Sequence, residues 1–113
     1  MKKTLLTISF LTSTLMFYHC SSTKSVLNTP ANAELAIAQK RWSDATVQSL
    51  TDGYTIYTTK CNKCHGLKTI SKYSEPEWDH EIKKMAPKSK LTEIETETLK
   101  RYIFASREVL AGK

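Results

Sequence analysis

Cys61-Asn62-Lys63-Cys64-His65 is the stretch on which the chain is organised. Two thiols separated by two residues and followed at once by a histidine form the pattern that attaches haem covalently. Chemistry sets this spacing. Each sulfur adds to one vinyl group on the same porphyrin edge, and a single tight turn carries both sulfurs to that edge. The next side chain then reaches over the ring face and offers a nitrogen to the iron. Cys61 and Cys64 are thus the candidate covalent anchors of one haem c, and His65 is the candidate proximal iron ligand. A thiol pair has two other readings, a redox dithiol and half of a zinc site. The zinc version would use Cys61, Cys64, His65 and His80, but the consecutive Cys64 and His65 suit a tetrahedral ion poorly.

Outward from the motif the pattern is helical. Upstream, Leu50, Tyr54 and Tyr57 recur at helical spacing and predict a first helix from about Val47 to Lys60. Gly53 lies beside that face, and a glycine there signals close approach of another element. Downstream, Gly66 permits a turn, and 69–74 reads as irregular, with Tyr73 a candidate cover for a haem edge or a packing residue. Ser74-Glu75-Pro76-Glu77 is a capping box with proline in the first turn. It opens a helix in which Trp78, Ile82 and Met85 share one face. At about 100° per residue, His80 falls roughly 200° from Trp78, on the charged face. Pro87 is expected to end this helix and 88–90 to form a loop. Thr92-Glu93-Ile94-Glu95 is a second capping box. The last helix is expected from about Glu93 to Glu108, burying Leu99, Tyr102 and Ile103, with acidic residues early and basic residues late, as the helix dipole favours.

A haem iron held by one histidine takes methionine or histidine on its other side. Met1 and Met16 lie in the leading apolar segment, which leaves Met85 as the candidate distal ligand. His80 is on the wrong helical face, and Lys83 and Lys84 are weaker candidates.

The totals fit this reading. The 113 residues allow one domain, and a covalently held haem would enlarge an otherwise modest core. The formal charge is +6, with lysines interspersed among glutamates and no nucleic-acid module, so nucleic acid is not an expected partner. Residues 1–19 read as an export signal, with Lys2 and Lys3 ahead of an apolar stretch too short and polar for a comfortable span. Cys20 follows, and its setting resembles the acylated first cysteine of bacterial lipoproteins, although Phe17-Tyr18-His19 replaces the usual small residues. Ordinary secretion or an uncleaved anchor are the alternatives, and all three place the domain outside the cytoplasm. Residues 20–46 read as a tether with a short helix from Ala33 to Arg41, and Trp42 is expected to pack onto the domain. The domain proper is expected over 47–113.

Residues from about Val47 to Leu110 resemble a small class I cytochrome c domain of the bacterial monohaem type. The resemblance rests on Gly53 and Tyr57 ahead of Cys61-x-x-Cys64-His65, on Met85 downstream, and on Leu99-x-x-Tyr102 in the last helix. Ala86 stands where that family commonly has proline, and no proline is placed to orient His65 as the family's commonly is. The resemblance implies an all-α, cytochrome c-like fold of three to four helices around covalent haem. It implies a one-electron carrier, not an enzyme, in a periplasmic or membrane-attached respiratory chain, with His65/Met85 ligation and redox-protein partners. Lys60, Lys63, Lys68, Lys83, Lys84, Lys88 and Lys90 border the expected haem and are candidates for a basic ring facing acidic partner surfaces, or for ordinary solvated lysines. Two other functions stay open: a haem ligand sensor or small haem enzyme with a displaceable sixth ligand, and a fixed electron-transfer subunit of a larger complex.

Overall fold

A computed structural model describes Pro30 and residues 32–112, except the side chains of Cys64 and His65. The expected signal at 1–19, the Cys20 anchor and most of the tether lie outside the described residues. The described residues are helical, with no strand among them.

Helix α2 (Val47–Ile56) begins where Thr46 and Ser49 cap each other. The Ser49 amide donates to the Thr46 hydroxyl at 3.1 Å, and the Thr46 amide donates to the Ser49 hydroxyl at 3.0 Å. These bonds satisfy two donors that a helix start leaves orphaned. The helix does not run on as α to Lys60. It widens into a π turn over Tyr57–Cys61 and returns to one α turn, α3 (Asn62–His65). Three threonines of this stretch bond back to the preceding turn. Thr55, Thr58 and Thr59 hydroxyls donate to the carbonyls of Thr51, Tyr54 and Thr55 at 2.9, 2.9 and 2.6 Å. Such back-bonding competes with the backbone ladder and bends helices. Gly66 then stops α3 at φ 75°, a left-handed conformation that glycine adopts without steric cost. A 3₁₀ turn, Ile70–Lys72, occupies the stretch expected to be irregular.

Helix α4 (Glu75–Met85) starts at Ser74, whose amide and hydroxyl both donate to the Glu77 carboxylate at 2.7 Å. Pro87 does not turn the chain away at once. It lacks an N–H and so interrupts the ladder, but its φ suits a helical path. The Ser89 amide bonds the Met85 carbonyl at 2.9 Å, which continues the helical register by one more turn. Lys90, at φ 54°, closes that turn: its amide donates to Pro87 at 3.1 Å and the Leu91 amide to Ala86 at 3.0 Å. This is a Schellman stop with lysine where glycine is usual. Helix α5 (Glu93–Ala111) starts from the Thr92–Glu95 capping box and extends three residues past the expected end at Glu108.

Helices α1 (Asn32–Arg41), α2 and α4 all pack on α5. The packing therefore extends upstream of Val47, with Ala38 fully buried and Leu35, Ile37 and Trp42 against the core. The closest approach is at Gly53. A Cβ there would lie 2.5 Å from Tyr102 Cβ and 2.6 Å from the Thr98 carbonyl, so no larger residue fits without moving backbone. Leu50 and Ile103 are the largest fully buried side chains, each worth roughly 1.5–3 kcal/mol of burial. Tyr57 ties the elements together, with ring contacts to Trp78 of α4 at 6.5 Å and Tyr102 of α5 at 5.9 Å.

Candidate cofactor cleft

The π turn ends at Cys61, so the first cysteine of the motif sits at the end of the helical run that crosses α5. A cleft opens beside it. Tyr57 and Cys61 form one wall, Trp78, Ile82 and Met85 of α4 another, and Leu99 and Ile103 of α5 its floor. Leu67 and Leu91, from the connecting segments, complete the apolar lining. Its lining bounds about 490 Å³ of space between atoms, open solvent at the mouth included, of which about 40 Å³ admits a water-sized molecule.

The segment that follows the motif is pinned over this cleft by hydrogen bonds. The Tyr57 hydroxyl donates to the Lys68 carbonyl, and Trp78 Nε1 donates to the Ile70 carbonyl at 2.9 Å. Arg107 Nε of α5 donates to the Tyr73 carbonyl at 2.6 Å. Tyr73 packs edge-on against Trp78 at 5.6 Å, and the Lys68 ammonium lies 5.1 Å from its ring centre. Burial, with lesser contributions from Tyr102 and Cys61, pushes the Tyr57 hydroxyl up to about 12, which keeps it a neutral donor.

Two charged groups border the cleft, and they pair with each other. Lys68 Nζ lies 2.7 Å from Glu81 Oε2. That bond holds the Glu81 carboxyl below its ordinary range and raises the Lys68 ammonium. Asp79 clasps α4 to α5 through Lys100 at 2.7 Å, and it also pairs within α4 with Lys83 at 2.6 Å. These two cations lower the Asp79 carboxyl to about 2.

Cys61 and Met85 thus face the same cleft, although 24 positions separate them in sequence. The backbone of Cys64 and His65 forms α3, and their side chains lie outside the described residues. His80 is exposed, away from the Trp78–Met85 face. Among the described residues no three His, Cys, Asp or Glu side chains gather as an ion site, and no helix is long and apolar enough to cross a membrane. Of the seven lysines of the expected basic ring, Lys60, Lys68 and Lys83 are engaged by Glu95, Glu81 and Asp79. Lys63, Lys84, Lys88 and Lys90 are exposed.

The residue that sequence reasoning missed is Ser89, which lines the cleft. It was expected in a loop after Pro87. The available signal was its position four residues after Met85, which shares a helical face only because the turn continues. No family model, curated protein or solved structure matches this chain.

Proposed function

We propose that the protein is a monohaem c-type cytochrome that carries one electron at a time. The observation that carries this reading is the meeting of Cys61 and Met85 in one apolar cleft, at the end of the helix that leads into Cys61-x-x-Cys64-His65. The lining suits a flat, largely apolar group. A thiol stands on one wall, a thioether on the other, and the remaining lining is mostly aliphatic and aromatic. Cys61 and Cys64 would hold haem covalently, and His65 and Met85 would serve as its axial ligands. The bound group supplies a single-electron couple at iron, and thioether ligation with burial raises its potential.

The chain's own part is positioning. Leu99 and Ile103 keep water from the floor of the cleft. The Asp79 clasp holds α4, and with it Met85, against α5. The hydrogen bonds of Tyr57 and Trp78 hold the segment after His65 in place. A site held from both sides moves little when its charge changes, which suits electron transfer. If His65 and Met85 both bind the iron, no position would be left on it for a substrate, so the reading is a carrier and not an enzyme. Export, acylation at Cys20 and a place in the bacterial cell envelope go with this reading. Redox-protein partners would meet a basic surface reduced to Lys63, Lys84, Lys88 and Lys90. That leaves a weaker field than seven free lysines would produce.

The test is the visible spectrum of the full chain produced with covalent haem-attachment machinery, oxidised and reduced. The expected result is low-spin c-type bands in both states, with a weak long-wavelength methionine–iron band that Met85→Ala abolishes. High-spin bands that shift with carbon monoxide would instead assign an open sixth position and a ligand sensor or small haem enzyme. Absence of covalent haem would sink the proposal.

A further inference from the structure

Five polar side chains, Cys61 apart, line the cleft: Tyr57, Lys68, Trp78, Glu81 and Ser89. Four have partners already. Tyr57 donates to the Lys68 carbonyl, Trp78 donates to the Ile70 carbonyl, and Lys68 and Glu81 pair with each other. Ser89 Oγ is different. Among the described residues it is the buried side-chain oxygen or nitrogen with no hydrogen-bond partner. A buried hydroxyl without a partner is disfavoured, and such an exception in a folded protein points to a water, an ion or a bound group.

Its position is built. The Ser89 amide bonds the Met85 carbonyl at 2.9 Å, which sets the two side chains on one face of a continued helical turn. The Schellman stop at Lys90 and Leu91 then holds that turn, with Lys90 in the left-handed region. Leu91, its last residue, packs against the core. Ser89 is therefore held facing the cleft beside the thioether, not carried on a free loop.

We propose that Ser89 is the hydrogen-bond donor this chain offers to a rim carboxylate of the bound haem, and so a positioning residue for it. The inference rests on the haem reading. Besides the Met85 carbonyl, which already accepts from the Ser89 amide at 2.9 Å, two acceptors are chemically available to the hydroxyl, a haem carboxylate and the Met85 sulfur. A thioether is a weak acceptor, whereas a carboxylate accepts a shorter, charge-assisted bond. Lys68 is held by Glu81, so it does not compete for that carboxylate as the structure stands.

The experiment compares the full chain with Ser89→Ala, Ser89→Cys and Ser89→Thr, all produced with haem-attachment machinery. The readouts are haem content, the methionine–iron band, and the midpoint potential as a function of pH. A hydrogen bond to the ionised carboxylate lowers its pKa, so its loss raises the pH at which the potential curve bends. The expected shift is about one pH unit upward in Ser89→Ala and Ser89→Cys. Ser89→Thr, which keeps a hydroxyl, is expected to follow the wild-type curve. An unmoved bend in both Ala and Cys variants overturns the proposal and assigns the hydroxyl to a water. A shifted methionine–iron band with an unmoved bend also overturns it and assigns the hydroxyl to Met85. Absence of haem from the wild-type chain is the separate failure, that of the haem reading itself.

Discussion

The two sides of α5 are built differently. On one side α2 crosses at Gly53, where backbone meets backbone and a single added carbon has no room. On the other side an apolar cleft lies between α4 and the Leu99–Ile103 face of α5. The closed side is complete within the chain: its side chains fill one another's space. The open side is lined mostly by apolar groups, with the Lys68–Glu81 pair at its border and one unpartnered hydroxyl at Ser89. The tightest packing thus lies where two helices cross, and the looser lining lies where Cys61 and Met85 meet.

The largest expected effect breaks the closed side. Gly53→Val puts its Cβ against Tyr102 Cβ and the Thr98 carbonyl, neither of which is the flexible end of a side chain. Loss of at least about 3 kcal/mol is expected, read as a lowered urea midpoint or as failure to accumulate folded protein. A wild-type midpoint in that variant would mean the crossing is looser than described.

The comparison sharpens with two cavity-forming changes. Leu50→Ala empties a site enclosed on all sides and is expected to cost about 3–5 kcal/mol. Ile82→Ala removes part of the cleft wall, where neighbours can relax into open space, and is expected to cost about 2 kcal/mol in the chain without haem. With haem bound the gap between the two should narrow, because a filled cleft prevents that relaxation. Equal costs without haem would contradict the contrast between the sides.

The smallest effect concerns the clasp at Asp79. Its folded pKa, about 2, is depressed below the ordinary 3.8 by Lys100 and Lys83. A depressed carboxylate contributes stability that is present above the unfolded pKa and lost as pH falls through the folded one. Stability carried by this clasp should therefore decline from about pH 4 to about pH 2. Asp79→Asn should remove that part of the decline, seen as a shallower dependence of the melting temperature on pH over the same window. Both partners are held at the surface, so salt should weaken the effect.

Much of the fold was legible because its signals are local. Capping pairs at Ser74–Glu77 and Thr92–Glu95 mark helix starts by bonds that span only one turn. The Trp78, Ile82 and Met85 stripe is a matter of angle alone, and those residues do share the cleft face. The π turn was not legible, because the Leu50, Tyr54 and Tyr57 spacing reads as unbroken α-helix up to Cys61. The continuation past Pro87 was missed because proline read locally as a stop. Its outcome was decided by Leu91, which packs on the core and draws the chain through one more turn.

The residues alone determined the spacing of Cys61, Cys64 and His65 and the helical faces on either side, since covalent chemistry and helical periodicity act over a few positions. Tertiary structure alone decided that Met85 and Cys61 line one cleft, that Lys68 is matched by Glu81, and that Ser89 lines the same cleft one helical turn after Met85. Those are meetings between elements. They depend on how closely two helices approach, and that distance is set by side chains far apart in the chain.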